Sequence, residues 1–232
     1  MPTSNRRTAS RAVARTPTKP HPPSSLDQAT TADHDLVDEA TYRRVGFHEI
    51  ELPGREADSV EFEQCSFERA DLSESKLTGV MLTDCRLAHS NLANLRTDKS
   101  GLVRVELVSC RLTGLHWAGG SLRDVTVKEC RADLTSFRFS DFRYVTFVDC
   151  NLTRADFQNA DLSGVVFRNC DLTAAQFSQA TMPGTRFSHC ILAGIGGVTS
   201  FSGAIVDSTD LAMLAYSLAS ALGIHIDGAD SD

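Results

Sequence analysis

The sequence predicts an all-β solenoid with a four-sided cross-section, followed by a short C-terminal α-helix. Three observations predict this class: an apolar residue at every fifth position, a small residue two positions before it, and a longer repeat of 20 residues. Helices place apolar residues about every 3.6 positions and strands place them at every second position. A period of five therefore keeps the apolar side chains inward only if the chain turns a corner after each unit.

The five-residue period extends from Tyr42 to Leu192. It comprises 31 positions, of which 30 are apolar, and Thr97 is the exception. At the overall hydrophobic content of 41%, chance would give about 13. The residue two positions earlier is small in most units, as at Cys65 and Ala70. Two inward positions separated by an outward one are typical of a strand, so each unit is predicted to hold one short strand and one turn.

The 20-residue repeat groups four units into one turn of the solenoid. Two sets of phenylalanines follow this spacing: Phe137, Phe157 and Phe177, and Phe147, Phe167 and Phe187. The seven cysteines follow it too, except for one interval of 25: Cys65, Cys85, Cys110, Cys130, Cys150, Cys170 and Cys190. About eight turns at the usual strand spacing would form a rod about 40 Å long. We interpret the cysteines as one buried column of small side chains.

The interval of 25 residues between Cys85 and Cys110, together with Thr97, predicts an extra unit inserted at residues 95–101. Two interpretations of this loop remain open. It is either a tolerated insertion, since lengthening a loop costs little free energy, or a recognition loop whose charged residues contact a partner. The candidate contact residues are Arg96, Asp98 and Lys99.

The two ends of the chain differ from the repeat. Residues 1–32 are rich in Thr, Ser and Pro, and they predict a basic, disordered tail. This tail either has no role or binds an anionic surface, and its basic residues are Arg6, Arg7, Arg11, Arg15 and Lys19. The solenoid itself is predicted to cover residues 33–205.

Residues 206–232 are predicted to form a capping or dimerisation helix and an acidic tail. Asp207 or Ser208 is the expected N-cap, and Gly223 is expected to end the helix. A stripe of leucines marks its apolar side: Leu211, Leu214, Leu218 and Leu222. The helix either covers the last turn of the solenoid or forms a homodimer contact. Ile224 and Ile226 are predicted to form a short terminal strand.

Several functional classes are excluded by what the sequence lacks. It has no apolar run of about 18 residues and no secretory signal, which predicts a cytoplasmic protein without a membrane contact. It also lacks metal-ligand spacing, phosphate-binding loops and nucleophile motifs. We therefore expect no catalytic residues, metal or cofactor. The formal charge of −7 argues against nucleic-acid binding.

Nine acidic residues are concentrated between Glu49 and Glu74, opposed only by Arg55 and Arg69. Their positions in the five-residue frame predict that all nine point outward. They are either a solvated end of the solenoid or an acidic docking face for a basic partner. The candidate partner-binding residues are Glu49, Glu51, Glu56, Asp58, Glu61, Glu63, Glu68 and Asp71, and Glu74 completes the cluster.

Residues 155–164, with the sequence ADFQNADLSG, and residues 169–172, NCDL, resemble the A-D/N-L/F-x-x repeat of the pentapeptide-repeat family. The resemblance covers about residues 40–205 and implies a right-handed quadrilateral β-helix. Residues 210–224 resemble the dimerising end of the Qnr and MfpA type within this family, whose members are rods similar to B-DNA in size and negative charge.

The resemblance implies a non-enzymatic homodimer that binds DNA gyrase or topoisomerase IV as a DNA mimic and gives resistance to quinolones or related inhibitors. The 95–101 segment is similar to loops of some Qnr proteins. The alternative is a general protein-interaction scaffold with no topoisomerase role.

Overall fold

The computed structural model describes residues 15–21, 23 and 25–225. It is a parallel β-solenoid of about nine turns with a single C-terminal helix, which confirms the predicted fold class. The strands, in chain order, are β1 (Asp27–Gln28), β2 (Thr41–Arg43), β3 (Val45–His48), β4 (Glu56–Asp58), β5 (Glu61–Glu63), β6 (Ser66–Glu68), β7 (Lys76–Thr78), β8 (Met81–Thr83), β9 (Arg86–Ala88), β10 (Arg96–Asp98), β11 (Gly101–Val108), β12 (His116–Ala118), β13 (Ser121–Lys128), β14 (Asp141–Val148), β15 (Val166–Arg168), β16 (Arg186–Ser188) and β17 (Ile205–Val206). A 3-10 helix (Val198–Ser200) and α1 (Leu211–Ala221) complete the structure.

Four faces make up each turn of the solenoid. Face A contains β2, β5, β8 and the first halves of β11, β13 and β14, and face B contains β1, β3, β6, β9, the second halves of those three strands, and β15 to β17. Face C consists of isolated bridges that begin at Glu51 and end at Ile191. Face D contains β4, β7, β10 and β12 and continues as bridges. Strands of successive turns pair in parallel, so every face is a ladder along the axis.

The predicted inserted loop at residues 95–101 is wrong. Residues 96–98 form β10, in which Thr97 pairs with Leu77 of the turn before and Trp117 of the turn after. Both offsets are the ordinary 20 residues, so the register is unbroken. Thr97 is buried, and its hydroxyl donates to the carbonyl of His116 at 3.3 Å. A small polar residue fits this inward position because the neighbouring turn supplies the bulky Trp117.

The cysteines form two columns, not one. Cys65 and Cys85 stand 20 residues apart with Val105 next in line, while Cys110 begins a second column one unit further around the turn. The 25-residue interval therefore marks a change of column. All seven cysteines are free and buried. Most of them donate a hydrogen bond to a carbonyl 23 residues earlier, as Cys85 does to Phe62 at 3.4 Å.

Stacked rings fill much of the core. On face B, Phe147, Phe167 and Phe187 lie parallel with centroids 5.1 Å apart at each step. Phe157 and Phe177 stack in the same way inside face D, at 5.3 Å. The predicted 20-residue phenylalanine sets are therefore ladders of direct ring contacts. Offset stacking of this kind stabilises the core beyond the burial of apolar area.

One residue in every five has a left-handed backbone conformation, and these residues form the corners of the solenoid. From Glu39 to Gly194, every fifth residue has a positive φ, between 50° and 75°. Most of these residues are not glycine, and none is Val, Ile or Thr. β-Branched side chains are the least compatible with this region of backbone space. The corner positions therefore accept many kinds of side chain but not β-branched ones.

Gly164 offers a clean test of corner strain. Its φ is +74°, and a Cβ added there would have no atom within 4 Å. We expect Gly164→Asn to be nearly neutral, because other corners carry Asn, and Gly164→Val to cost about 1–2 kcal/mol from backbone strain alone. Urea unfolding of the three proteins measures the difference. Equal stability of the Val variant and the parent would contradict this account of the corners.

The two ends of the core are covered. At the N-terminal end, the buried side chain of Leu36 and the ring of Tyr42 close the first turn. At the C-terminal end, α1 packs on the 3-10 helix and buries Leu214. The helix begins at Leu211 with Asp210 at its N-cap, and no side chain caps it by a hydrogen bond, so the predicted caps are wrong. Gly223, with a φ of +69°, ends the helix as predicted.

Candidate functional site

Acidic residues encircle the early turns of the solenoid. We call the nine acids between Glu49 and Glu74 the anionic band. Seven of them are exposed, and Glu68 and Asp71 are partly buried, so all nine reach the surface. The nine carboxylates and two arginines of this segment give a formal charge of −7, which equals the net charge of the whole chain.

The structure does not place the anionic band on a single face, as the predicted acidic face requires. Glu61 and Glu63 lie on face A, Glu68 on face B, Glu51 and Asp71 on face C. Glu56 and Asp58 lie on face D, and Glu49 and Glu74 occupy corners. The acids spread in this way because a five-residue unit moves the chain to the next face. A partner approaching from one side meets only part of the band.

Four acids of the band, together with Asp38 and Glu39, form a group where faces D and A meet. We call it the anionic edge: Asp38, Glu39, Glu56, Asp58, Glu61 and Glu63. Asp38 stacks below Asp58 and accepts a hydrogen bond from its backbone N–H at 2.8 Å. Asp38 and Glu39 were missed by the sequence reasoning, although the 20-residue offset from Asp58 and Ser59 is the signal that places them here.

Few basic side chains neutralise the anionic edge. Glu63 pairs with Arg43 at 2.9 Å, and Lys76 lines a shallow cleft with Asp38, Glu56 and Asp58. Among the described residues, no ion pair involves the other five acids of the edge. Elsewhere in the band, Arg69 pairs with Glu49 at 2.8 Å and holds the pKa of that carboxyl below its usual value. The edge therefore keeps most of its charge available to a partner.

The predicted loop residues are parts of the regular surface. Arg96 and Asp98 are exposed on β10 of face D, and Lys99 occupies the following corner with a φ of +52°. Asp98 lies two turns beyond Asp58 on the same line. These residues belong to a rigid face rather than to a loop, because their backbone pairs with both neighbouring turns.

Helix α1 presents an apolar surface. Leu211, Leu218 and Leu222 are exposed, and so are Met213 and Tyr216. Leu214 is only 4% exposed and packs inside its own chain, so its predicted place in a dimer interface is wrong. Leu214 is the buried residue of α1, and the helix packs on the 3-10 helix at the end of the solenoid. Ile226 and the acidic tail lie outside the described residues.

The N-terminal segment has contacts that its composition did not predict. Residues 1–14, with Arg6, Arg7 and Arg11, lie outside the described residues. Residues 15–21, which we call the strap, run along the corner between faces A and B, and β1 pairs with β3. The predicted disorder is thus wrong for the described part of the tail, because acidic corner residues bind it.

The strap lies against a line of corner residues spaced 20 apart, which we call the strap groove: Gln64, Asp84, Arg104, Asp124 and Tyr144. The Arg104 guanidinium binds Asp84 through two hydrogen bonds, at 2.7 and 2.6 Å, and holds the pKa of that carboxyl below its usual value. A cleft of about 510 Å³ separates the strap from face B. Arg15, Lys19, Arg168 and Arg186 are among the residues that line it.

Within the described residues, no group of three or more His, Cys, Asp or Glu is arranged to hold a metal ion. The described helices also include none that is long and apolar enough to cross a bilayer.

These features define the class of the protein: a β-solenoid built from stacked five-residue units, with charged and apolar side chains on a rigid exterior. The family model described as "Pentapeptide repeat region" matches residues 60–137 and 132–196. The chain belongs to the pentapeptide-repeat family.

Solved structures with a similar fold include QnrB1, a plasmid-mediated fluoroquinolone resistance protein, in a trypsin-treated form. It is 18% identical with a TM-score of 0.32, and the match covers 84% of this chain and 100% of that chain. HetL, involved in heterocyst differentiation regulation in the cyanobacterium Nostoc sp. strain PCC 7120, is 17% identical with a TM-score of 0.28, over 77% and 94%. These values describe the fold alone. Comparison with curated proteins gives no match.

Proposed function

We propose that this chain is a non-enzymatic, protein-binding rod whose anionic edge docks on the DNA-binding surface of a partner. DNA gyrase or topoisomerase IV is the specific candidate. The observation that carries the proposal is the concentration of unneutralised carboxylates on a rigid edge. By competing with DNA for that surface, the rod would give resistance to quinolones or related inhibitors.

Physical chemistry supports this mode of binding. B-DNA presents one negative charge per about 1.7 Å of helix axis, and proteins bind it through basic surfaces. In the anionic edge, Asp38 and Asp58 lie in successive turns, at the usual spacing of about 4.8 Å, and Glu56, Glu61 and Glu63 lie beside them. Its strand β5 pairs with the turns on both sides, as Glu61 and Phe62 do, and β4 pairs with β7. The backbone that carries these charges is therefore fixed before binding, which removes the cost of ordering it.

A supercoiling assay with purified DNA gyrase tests this function. We expect the full chain to inhibit supercoiling, and the variant Glu56→Gln/Asp58→Asn/Glu61→Gln to need about tenfold more protein for the same inhibition. The matched control removes three carboxylates beyond the anionic edge, in Asp141→Asn/Asp149→Asn/Asp161→Asn, and should inhibit like the parent. Absence of inhibition by the parent, with no relief from a quinolone, would refute the topoisomerase role and leave the general scaffold.

A homodimer through α1 is part of the proposal. The exposed apolar residues of α1 support it, because burying each leucine would stabilise an interface by about 1.5–3 kcal/mol. We expect the full chain to have twice its monomer mass in light scattering, and Leu218→Asp/Leu222→Asp to reduce it to one chain. Ser220→Asp is the control on the same helix, because Ser220 is exposed on the side opposite Leu218 and Leu222. A parent of monomer mass, or a double variant that stays dimeric, contradicts the dimer.

A further inference from the structure

The strap binds its groove through regularly spaced contacts. The Thr18 backbone N–H donates to Asp124 Oδ1 at 2.9 Å, and the backbone N–H of His21 donates to Asp84 Oδ1 at 3.2 Å. The guanidinium of Arg15 lies 4.1 Å from the ring centre of Tyr144 and 3.4 Å from Asp124. Every third strap residue thus contacts the groove.

The spacing of the two backbone contacts, at Thr18 and His21, matches the solenoid. An extended polyproline-type backbone has three residues per turn and rises about 3.1 Å per residue, or about 9.3 Å for three residues. Asp84 and Asp124 lie two solenoid turns apart, about 9.6 Å at the usual strand spacing. Pro17 and Pro20 favour such a backbone in the strap. This match holds between Thr18 and His21, whereas Arg15 reaches Tyr144, one turn beyond Asp124, through its long side chain.

The chemistry of the groove indicates what it selects. The side chain of Asp124 is only 7% exposed, and it faces Arg15 and the Thr18 N–H, with Arg123 at 3.8 Å. Two of the contacts use backbone N–H groups, which any residue except proline supplies. The third requires a cation that stacks on an aromatic ring, for which arginine is well suited. The ligand class is an extended basic segment with arginine at one end.

We propose that the strap groove is a binding site for an extended, basic, proline-containing segment of a partner protein, and that residues 15–21 occupy it in cis as a built-in competitor. This site is separate from the anionic edge and does not rest on the proposed topoisomerase binding. Because the strap is tethered beside the groove, its effective concentration is high, in the millimolar range for a short tether. For a partner segment, the apparent Kd therefore equals the intrinsic Kd divided by the fraction of grooves that the strap leaves open.

The test uses the full chain and a fluorescent peptide with the sequence of residues 15–21, RTPTKPH. Arg15→Ala/Thr18→Pro releases the strap, since it removes the cation and the N–H donor that bind Asp124 without changing the solenoid. Thr16→Ala/Lys19→Ala is the matched control, because these two side chains make no hydrogen bond to the solenoid among the described residues. Fluorescence anisotropy reports peptide binding.

We expect the release variant to bind the peptide about tenfold or more tightly than the parent and the control. Adding Asp124→Ala to the release variant should abolish that gain, because it removes the acceptor and the charge that the peptide binds, whereas adding Asp149→Ala should leave it. Equal binding by parent and release variant, including no binding by either, overturns the proposal. A gain that survives Asp124→Ala overturns it as well, because the peptide would then bind elsewhere.

Amide hydrogen exchange of the unaltered chain gives an independent readout. We expect the Thr18 N–H to be protected from exchange in the parent. Added peptide should not increase this protection, because the strap already fills the groove. Exchange at the rate of an unstructured peptide would overturn occupation in cis. A dimer that dissociates only on Arg15→Ala/Thr18→Pro would also overturn it, since the strap would then occupy the groove of a second copy.

Discussion

Replacing Phe167 with alanine is expected to lower the free energy of unfolding by about 3–5 kcal/mol. The ring of Phe167 is fully buried and stacks on Phe147 and Phe187 at 5.1 Å on either side, while Phe157 meets it edge-on at 5.7 Å. Truncation removes all three ring contacts and leaves a cavity in the centre of the rod. The ladder hydrogen bonds of β15 hold its walls apart, so the cavity cannot collapse fully.

Two matched variants make this prediction specific. Phe167→Leu should cost clearly less, because Leu87 and Leu107 already occupy the same inward line of face B. Arg168→Ala changes the next residue, which is exposed, and should stay within about 0.5 kcal/mol of the parent. Denaturant unfolding followed by circular dichroism measures all three. A loss below about 1 kcal/mol for Phe167→Ala would contradict a core held together by stacked rings.

Asp210→Ala is expected to destabilise the C-terminal end by about 1–3 kcal/mol, because it leaves a buried backbone donor without an acceptor. In the inner turns, a polar side chain 20 residues ahead accepts such an N–H: Ser90 accepts from Ala70 at 3.1 Å, and Cys130 accepts from Cys110 at 3.4 Å. Asp210 stands in that place for Cys190 and accepts its N–H at 2.8 Å. It is only 5% exposed.

Asp210→Asn and Asp210→Ser keep an acceptor in the same position and should retain most of the stability. Hydrogen exchange should show that the loss in Asp210→Ala is concentrated at Cys190 and in α1, with the middle turns unchanged. If the Ala and Asn variants are equally stable, Asp210 does not terminate the solenoid in this way.

The repeat could be predicted from the sequence because every unit needs the same kinds of residue at its inward positions. The inward residues of each strand must be apolar or small, so the run from Tyr42 to Leu192 predicts both the fold and the outward direction of the acids. The division of the cysteines into two columns could not be predicted, since Cys, Ser, Ala and Val all fit the small inward position. The position of a cysteine therefore does not show which face it lies on. For this reason the 25-residue interval, which is a change of column, was interpreted as an insertion.

The binding surfaces were predicted less well than the fold. The acids were found by composition, but their distribution over four faces and the membership of Asp38 and Glu39 depend on the turn register. The strap was missed because its partners, Asp84 and Asp124, lie far away in sequence and carry no local motif.

The most direct test of the central claim is the affinity of the full chain for DNA gyrase, measured by surface-immobilised binding at low and at physiological salt. We expect binding that duplex DNA displaces, that weakens as salt rises, and that drops about tenfold in Glu56→Gln/Asp58→Asn/Glu61→Gln. Binding by the parent that neither salt nor the three substitutions alter would contradict docking through the anionic edge, and a complete lack of binding would contradict gyrase as the partner.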